Sequence, residues 1–151
     1  QLEELYKEGI LPVKREDISA SLKGKSNISN QLKEILENAK KEVVICTSAE
    51  ELKSKAKLFQ QTFDRLNKAK IKVIVALSGD ESLVQQLSKS MSQKFKHVDV
   101  DAKFFIIDRS EVLFYTSKKT DDEDIAVWLN SEFFANSFAD LFERAIAGGN
   151  K

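Results

Sequence analysis

A single cysteine, Cys46, leaves the chain without a disulfide framework and without a cysteine-based zinc site. One proline and five glycines in 151 residues provide little material for long turns, so regular structure should dominate. No apolar run approaches the roughly 18 residues that a membrane span needs, and no signal-peptide pattern opens the chain. Neither sign of charge is in excess. The 24 lysines and arginines are matched by 24 acidic residues, which argues against a free-standing nucleic-acid binder. What is present, 42% hydrophobic and 32% charged residues, suits one compact domain, since two domains in this length would each be marginal. The expected setting is cytoplasmic, with neither a metal nor a cofactor.

The chain opens at Gln1, and Leu2, Leu5 and Tyr6 read as the end of an amphipathic helix begun earlier. Residues 1–14 are therefore expected to be the tail of a helical linker, and 15–151 a single domain. A tag-processed start is the alternative. Beyond Gly9 and Pro12, Ile18 to Leu22 alternates and stops at Gly24, as a short edge strand does. Ser26 or Asn27 should cap a helix carrying Ile28, Leu32, Ile35, Leu36 and Ala39 on one face. Val43 to Cys46 is a continuous apolar run, as expected of a strand covered on both sides. Ser48 and Glu51 have capping-box spacing ahead of a long helix with Leu52, Ala56, Phe59, Phe63 and Leu66 on one stripe. Ile71 to Leu77 is the next buried strand, followed by Ser78-Gly79-Asp80 and a helix to about Met91. This alternation predicts parallel strands.

The pattern then changes. Val98 to Ile107 and Glu111 to Tyr115 read as two strands joined at Asp108-Arg109-Ser110, a link that fits only a hairpin. The charge run Lys118 to Glu123 reads as a mobile loop, and Ile125 to Leu129 as a further strand. Asn130 or Ser131 should cap a last helix, stopped by Gly148-Gly149, whose Phe134, Phe138, Leu141, Phe142 and Ala145 are expected in the core.

The informative segment is Asp101-Ala102-Lys103-Phe104-Phe105-Ile106-Ile107-Asp108. Its frame, residue-x-Lys-x-x-x-x-Asp on a strand entering a hairpin, resembles the phospholipase D superfamily motif. That resemblance implies a nucleophilic histidine at the first position and a phosphate-holding lysine at the third. Here the first position is Asp101, a carboxylate that would repel a phosphodiester. The superfamily's downstream Gly-Ser-x-Asn element is reduced to Thr116-Ser117. His97, the one histidine, falls four residues early, and bringing it into frame along a strand would need a shift of about 13 Å. It reads as a surface histidine without a role. The chain is expected not to be an enzyme. Lys103 and Asp108 also fit ordinary solvated residues flanking an apolar strand.

A second resemblance spans most of the chain. Leu22-Lys23-Gly24-Lys25-Ser26-Asn27-Ile28, then Ile35 to Val43 with its Ala-Lys-Lys-Glu-Val ending, then Asp124-Ile125-Ala126-Val127-Trp128-Leu129-Asn130-Ser131 and Leu141-Phe142-Glu143 are similar to the C-terminal domain of the TrmB family of largely archaeal transcription regulators. At about Ile146 the family usually has a closing tryptophan, a modest departure from its pattern. The resemblance implies an α/β fold, a phospholipase-D-like mixed sheet flanked by helices, preceded by a helical linker remnant. It further implies a small-molecule effector, in several members a sugar, and a homodimer to which Leu2, Leu5 and Tyr6 would contribute. DNA would be bound only through a winged helix outside this sequence.

Ligands of open α/β sheets gather beyond the carboxyl ends of parallel strands. The expected ligand set is therefore Thr47, Ser48 and Ser78 at those ends, Asp101 and Lys103 from the degenerate motif, and Trp128 with Asn130 as a stacking face and a hydrogen-bonding partner. Trp128 as plain core is the equal alternative. Two other functions stay open: an interaction module without ligand, whose pocket is filled by side chains, and a divergent phosphodiesterase.

Overall fold

The computed structural model describes residues 18–116 and 125–149. Seven strands form one mixed sheet in the order β1-β7-β6-β5-β2-β3-β4. They are β1 (Ile18–Lys23), β2 (Glu42–Ser48), β3 (Lys72–Ser78), β4 (Phe95–His97), β5 (Phe104–Ile107), β6 (Glu111–Tyr115) and β7 (Ile125–Asn130). The helices are α1 (Lys25–Glu37), α2 (Ala49–Ser54), α3 (Ala56–Lys68), α4 (Glu81–Met91) and α5 (Glu132–Gly149). β2, β3 and β4 run parallel, while β2–β5, β5–β6, β6–β7 and β7–β1 are antiparallel.

Because side chains alternate along a strand, the sheet has two distinct faces. Val43 and Ile45 of β2, Phe105 and Ile107 of β5, and Leu113 of β6 point to one side, where they meet buried residues of α1, α2, α3 and α4. Val44 and Cys46, Phe104 and Ile106, and Val112 point to the other, where among the described residues α5 covers them through Ala135, Ala139, Phe142 and Ile146. Cys46 is fully buried, and burial pushes its thiol up to about 12, so it stays protonated and packs as a small apolar group.

The structure revises several expectations. Helix α1 begins at Lys25 with Gly24 as its N-cap and no side-chain cap, because the amide of Asn27 donates to the Lys23 carbonyl instead. The long helix expected after Ser48 is two helices broken at Lys55, although Ser48 does cap the first by accepting the Glu51 N–H at 3.0 Å. The strand expected from Val98 is confined to Phe104–Ile107. His97 lies instead on the three-residue edge strand β4, three strands away from β5, and its Nε2 is 2.7 Å from the Gly79 carbonyl. It has a structural role, holding the turn that leaves β3.

Helix α5 runs through Gly149, and its buried stripe is rotated by about one residue from the expected one. Phe142 is buried, whereas Phe134 and Leu141 are 41% and 65% exposed. Alanines at 135 and 139 let the helix backbone approach the sheet closely, which turns the neighbouring large residues outward. The linker, with Leu2, Leu5 and Tyr6, and the charge run Lys118 to Glu123 lie outside the described residues.

Candidate functional site

Both ends of β5 carry charged residues of the degenerate motif. At its exit, Ile107 and Glu111 pair in register across the three-residue link Asp108-Arg109-Ser110, a turn with Asp108 and Arg109 both at positive φ (56° and 52°) and the Ser110 N–H donating to the Ile107 carbonyl at 2.9 Å. The Asp108 carboxylate accepts backbone N–H groups of Lys40, Lys41 and Glu42 at 2.7–3.2 Å, tying the turn to the start of β2. Arg109 reaches the opposite face, donating to Asn136, Asp140 and Glu143 of α5 at 2.9–3.0 Å. The hydrogen bond donated to Asp140 raises the guanidinium pKa further, outweighing its partial desolvation. Glu42 completes this cluster at 3.4 Å from Arg109 Nε, a contact too long to satisfy its buried Oε2 fully. Every group here is engaged in holding α5 and β2 to the hairpin.

The entrance of β5 is different. Lys103 Nζ lies 4.2 Å from the centroid of the Tyr115 ring and 2.9 Å from Glu51 Oε2. Lys55, one turn beyond Glu51, approaches the same oxygen at 2.7 Å. Burial alone would raise the Glu51 carboxyl, but hydrogen bonds from Lys55 and Lys103, reinforced by their charges, hold it below its ordinary value.

This cluster forms one wall of an open cleft of about 450 Å³, within the usual ~300–1,000 Å³ of small-molecule sites. Phe105 and Tyr115 supply its floor from the sheet. Leu32, Lys33 and Leu36 enter from α1, and Leu58, Phe59 and Arg65 from α3. Leu58 is 61% exposed on this rim.

The sequence-predicted residues do not fall in one place. Thr47, Ser48 and Ser78 lie together at the carboxyl ends of β2 and β3, where Ser48 and Ser78 are in register. Ser48 is occupied as the α2 cap, and Thr47 is buried with no partner for its hydroxyl among the described residues. Asp101 is exposed in the irregular segment before β5. Only Lys103 of the set lines the cleft. Trp128 and Asn130 lie on β7, three strands from β2, or roughly 14 Å by strand spacing. The Trp128 ring packs against the α1 side of the core and its Nε1–H donates to Glu111 at 2.9 Å, while Asn130 pairs in register with Glu111 at the opposite end of the sheet.

Glu51, Lys55 and Tyr115 were not foreseen as site residues. The signal available for the first two is the i,i+4 spacing of Glu51 and Lys55. Among the described residues no group of three or more metal-ligating side chains converges, and no helix is long and apolar enough to cross a membrane.

The family model described as the N-terminal subdomain of the effector-binding domain of the transcriptional regulator TrmB matches residues 20–146. No curated protein matches the sequence. Among solved structures, the chain is similar to TrmBL2, described as an archaeal chromatin protein with a novel mode of DNA binding. The TM-score is 0.63 at 18% identity, covering 95% of this chain and 57% of that one. It is also similar to Nuc from Salmonella typhimurium, a phospholipase D family member, with a TM-score of 0.61 at 12% identity and coverage of 85% and 94%. Phosphatidylserine synthase from Haemophilus influenzae gives 0.64 at 13% identity, covering 89% of this chain and 38% of the synthase. The chain thus spans just over half the length of TrmBL2, and its fold is phospholipase-D-like.

Proposed function

We propose that this chain, which belongs to the TrmB family of transcriptional regulators through the N-terminal subdomain of their effector-binding domain, senses a small molecule in the cleft between α1 and α3. The observation that carries this reading is the cleft itself. Among the described residues it is open, with apolar walls and a few converging charges, where an interaction module without ligand would have it filled by side chains. Lys103, inherited in position from the phospholipase D frame, then serves recognition. With Asp101 at the position of the nucleophile and Lys103 committed to Glu51, the chain has no phosphodiesterase role in this account.

In this reading residues 1–14 are a linker and 15–151 the sensor domain, working as a cytoplasmic homodimer with Leu2, Leu5 and Tyr6 at the contact. DNA is bound by a separate winged-helix module. Effector occupancy shifts the equilibrium between two arrangements of the regulator only by as much as the ligand distinguishes them. The experiment is a metabolite screen, sugars included, by thermal unfolding, with the mass in solution measured by light scattering. Saturable stabilisation of a dimer supports the proposal. A strict monomer that no metabolite stabilises contradicts it, and turnover of a generic phosphodiester that vanishes in Lys103→Ala would restore the enzymatic alternative.

A further inference from the structure

We infer that the molecule suited to the α1–α3 cleft is an organic carboxylate with an apolar body, an aryl or medium-chain acid, and not a neutral polyhydroxylated compound. This deepens the reading of the cleft as a ligand site and rests on it. The first argument is charge. Lys55 and Lys103 share one oxygen of one carboxylate, at 2.7 and 2.9 Å, so among the described residues the cluster carries two ammonium groups against a single anion. The side chains of Lys103 and Glu51 are only 21% and 14% exposed, which limits how far water can compensate the excess charge. An ammonium group has three donors. A second carboxylate placed between the two lysines would complete an alternating arrangement of two cations and two anions. At the rim, Lys33 and Arg65 outnumber Glu37, so the cleft mouth is electropositive as well.

The second argument is the chemistry of the walls. Leu32, Leu36, Leu58, Phe59 and Phe105 offer a ligand apolar surface and no hydrogen-bonding group. Thr62, one of the few hydroxyls in the lining, already donates to the Leu58 carbonyl at 3.1 Å. Ser29, Asn30 and Gln61 also line the cleft, but a sugar against the apolar walls would give up water at hydroxyls that those walls cannot pair, and each unmatched polar group costs free energy. An apolar body loses nothing there, and it would cover Leu58.

The test uses five probes titrated into the chain by calorimetry at low and moderate ionic strength. They are octanoate and indole-3-acetate, the corresponding uncharged amides, and maltose. At least one acid is expected to bind saturably, more weakly as salt rises. Its amide should bind roughly tenfold or more weaker, the factor set by loss of a charge-assisted hydrogen bond. Lys103→Met and Lys55→Gln should each weaken the acid by a similar factor. Lys55, on the partly exposed helix break, keeps the experiment decisive should Lys103→Met fail to fold. Equal affinity of acid and amide, or acid binding unchanged in Lys55→Gln, overturns the inference while the cleft remains a ligand site. So does maltose binding without either acid. Absence of binding by all five also overturns it, and the wider metabolite screen then judges the sensor reading separately.

Discussion

The two ends of β5, four residues apart, put the same kinds of charged side chain to opposite uses. At the Asp108–Arg109 end the Asp108 carboxylate and the Arg109 guanidinium are fully engaged, with Glu42 Oε2 held at a longer 3.4 Å from Arg109 Nε. One carboxylate takes three backbone N–H groups, and one guanidinium spans three side chains of α5. At the Lys103 end the charges are under-matched among the described residues, and they face an open cleft. A saturated cluster fixes structure because no incoming group can improve on it. An under-matched cluster in a cavity retains capacity for a ligand. On the proposed reading of the cleft, the degenerate motif has divided into a structural half and a recognition half.

Substitutions should separate the halves. The largest expected effect is at Asp108→Ala, which removes three charge-assisted hydrogen bonds and leaves an alanine at positive φ. About 3 kcal/mol should be lost in urea unfolding. Asp108→Asn, which tolerates that backbone region, should lose less. Arg109→Ala should cost about 1–2 kcal/mol and become salt-sensitive, since its partners on α5 are partly solvated. Lys103→Met should change stability by only ~1 kcal/mol or less, because relief of a partly desolvated charge offsets the lost pair and the ring contact. Equal losses at Asp108 and Lys103 would erase the distinction between the two ends.

The smallest effect is in the pH dependence. Glu51 has a folded-state pKa below its unfolded value, so its contribution is fully present above the unfolded value near 4.5 and is lost as pH falls through the lower folded value. Glu51→Gln should therefore flatten the acid limb of the stability profile in that window. A mutant profile that parallels the parent would contradict the depressed pKa.

How much of this was legible depended on where the information lay. β2 and β3 were readable because strands covered on both faces are continuous apolar runs, and the hairpin because three residues cannot carry a crossover. β4 escaped because three residues containing Lys96 and His97 have no periodicity of their own, and only the neighbouring β3 makes them a strand. The break at Lys55 has no glycine or proline to announce it. The phase of α5 was misjudged because phenylalanine draws attention, whereas the contact is set by the small Ala135 and Ala139. The cleft was the least legible feature. It is assembled from the sides of α1 and α3, from Glu51 of α2, and from β5 and β6, and each reads locally as an ordinary element. Of the seven residues proposed from sequence, Lys103 alone lines it, and the companions that give that lysine its meaning, Glu51 and Lys55, are 52 and 48 positions away.

Whether this cleft binds a small molecule is decided by thermal unfolding across a metabolite panel. Some member of the panel should raise stability saturably, by ~2.7 kcal/mol at a hundredfold excess over Kd, an effect lost in Lys103→Met and retained in Arg109→Ala. A rise that persists in Lys103→Met, or no rise for any metabolite, would contradict ligand binding in this cleft.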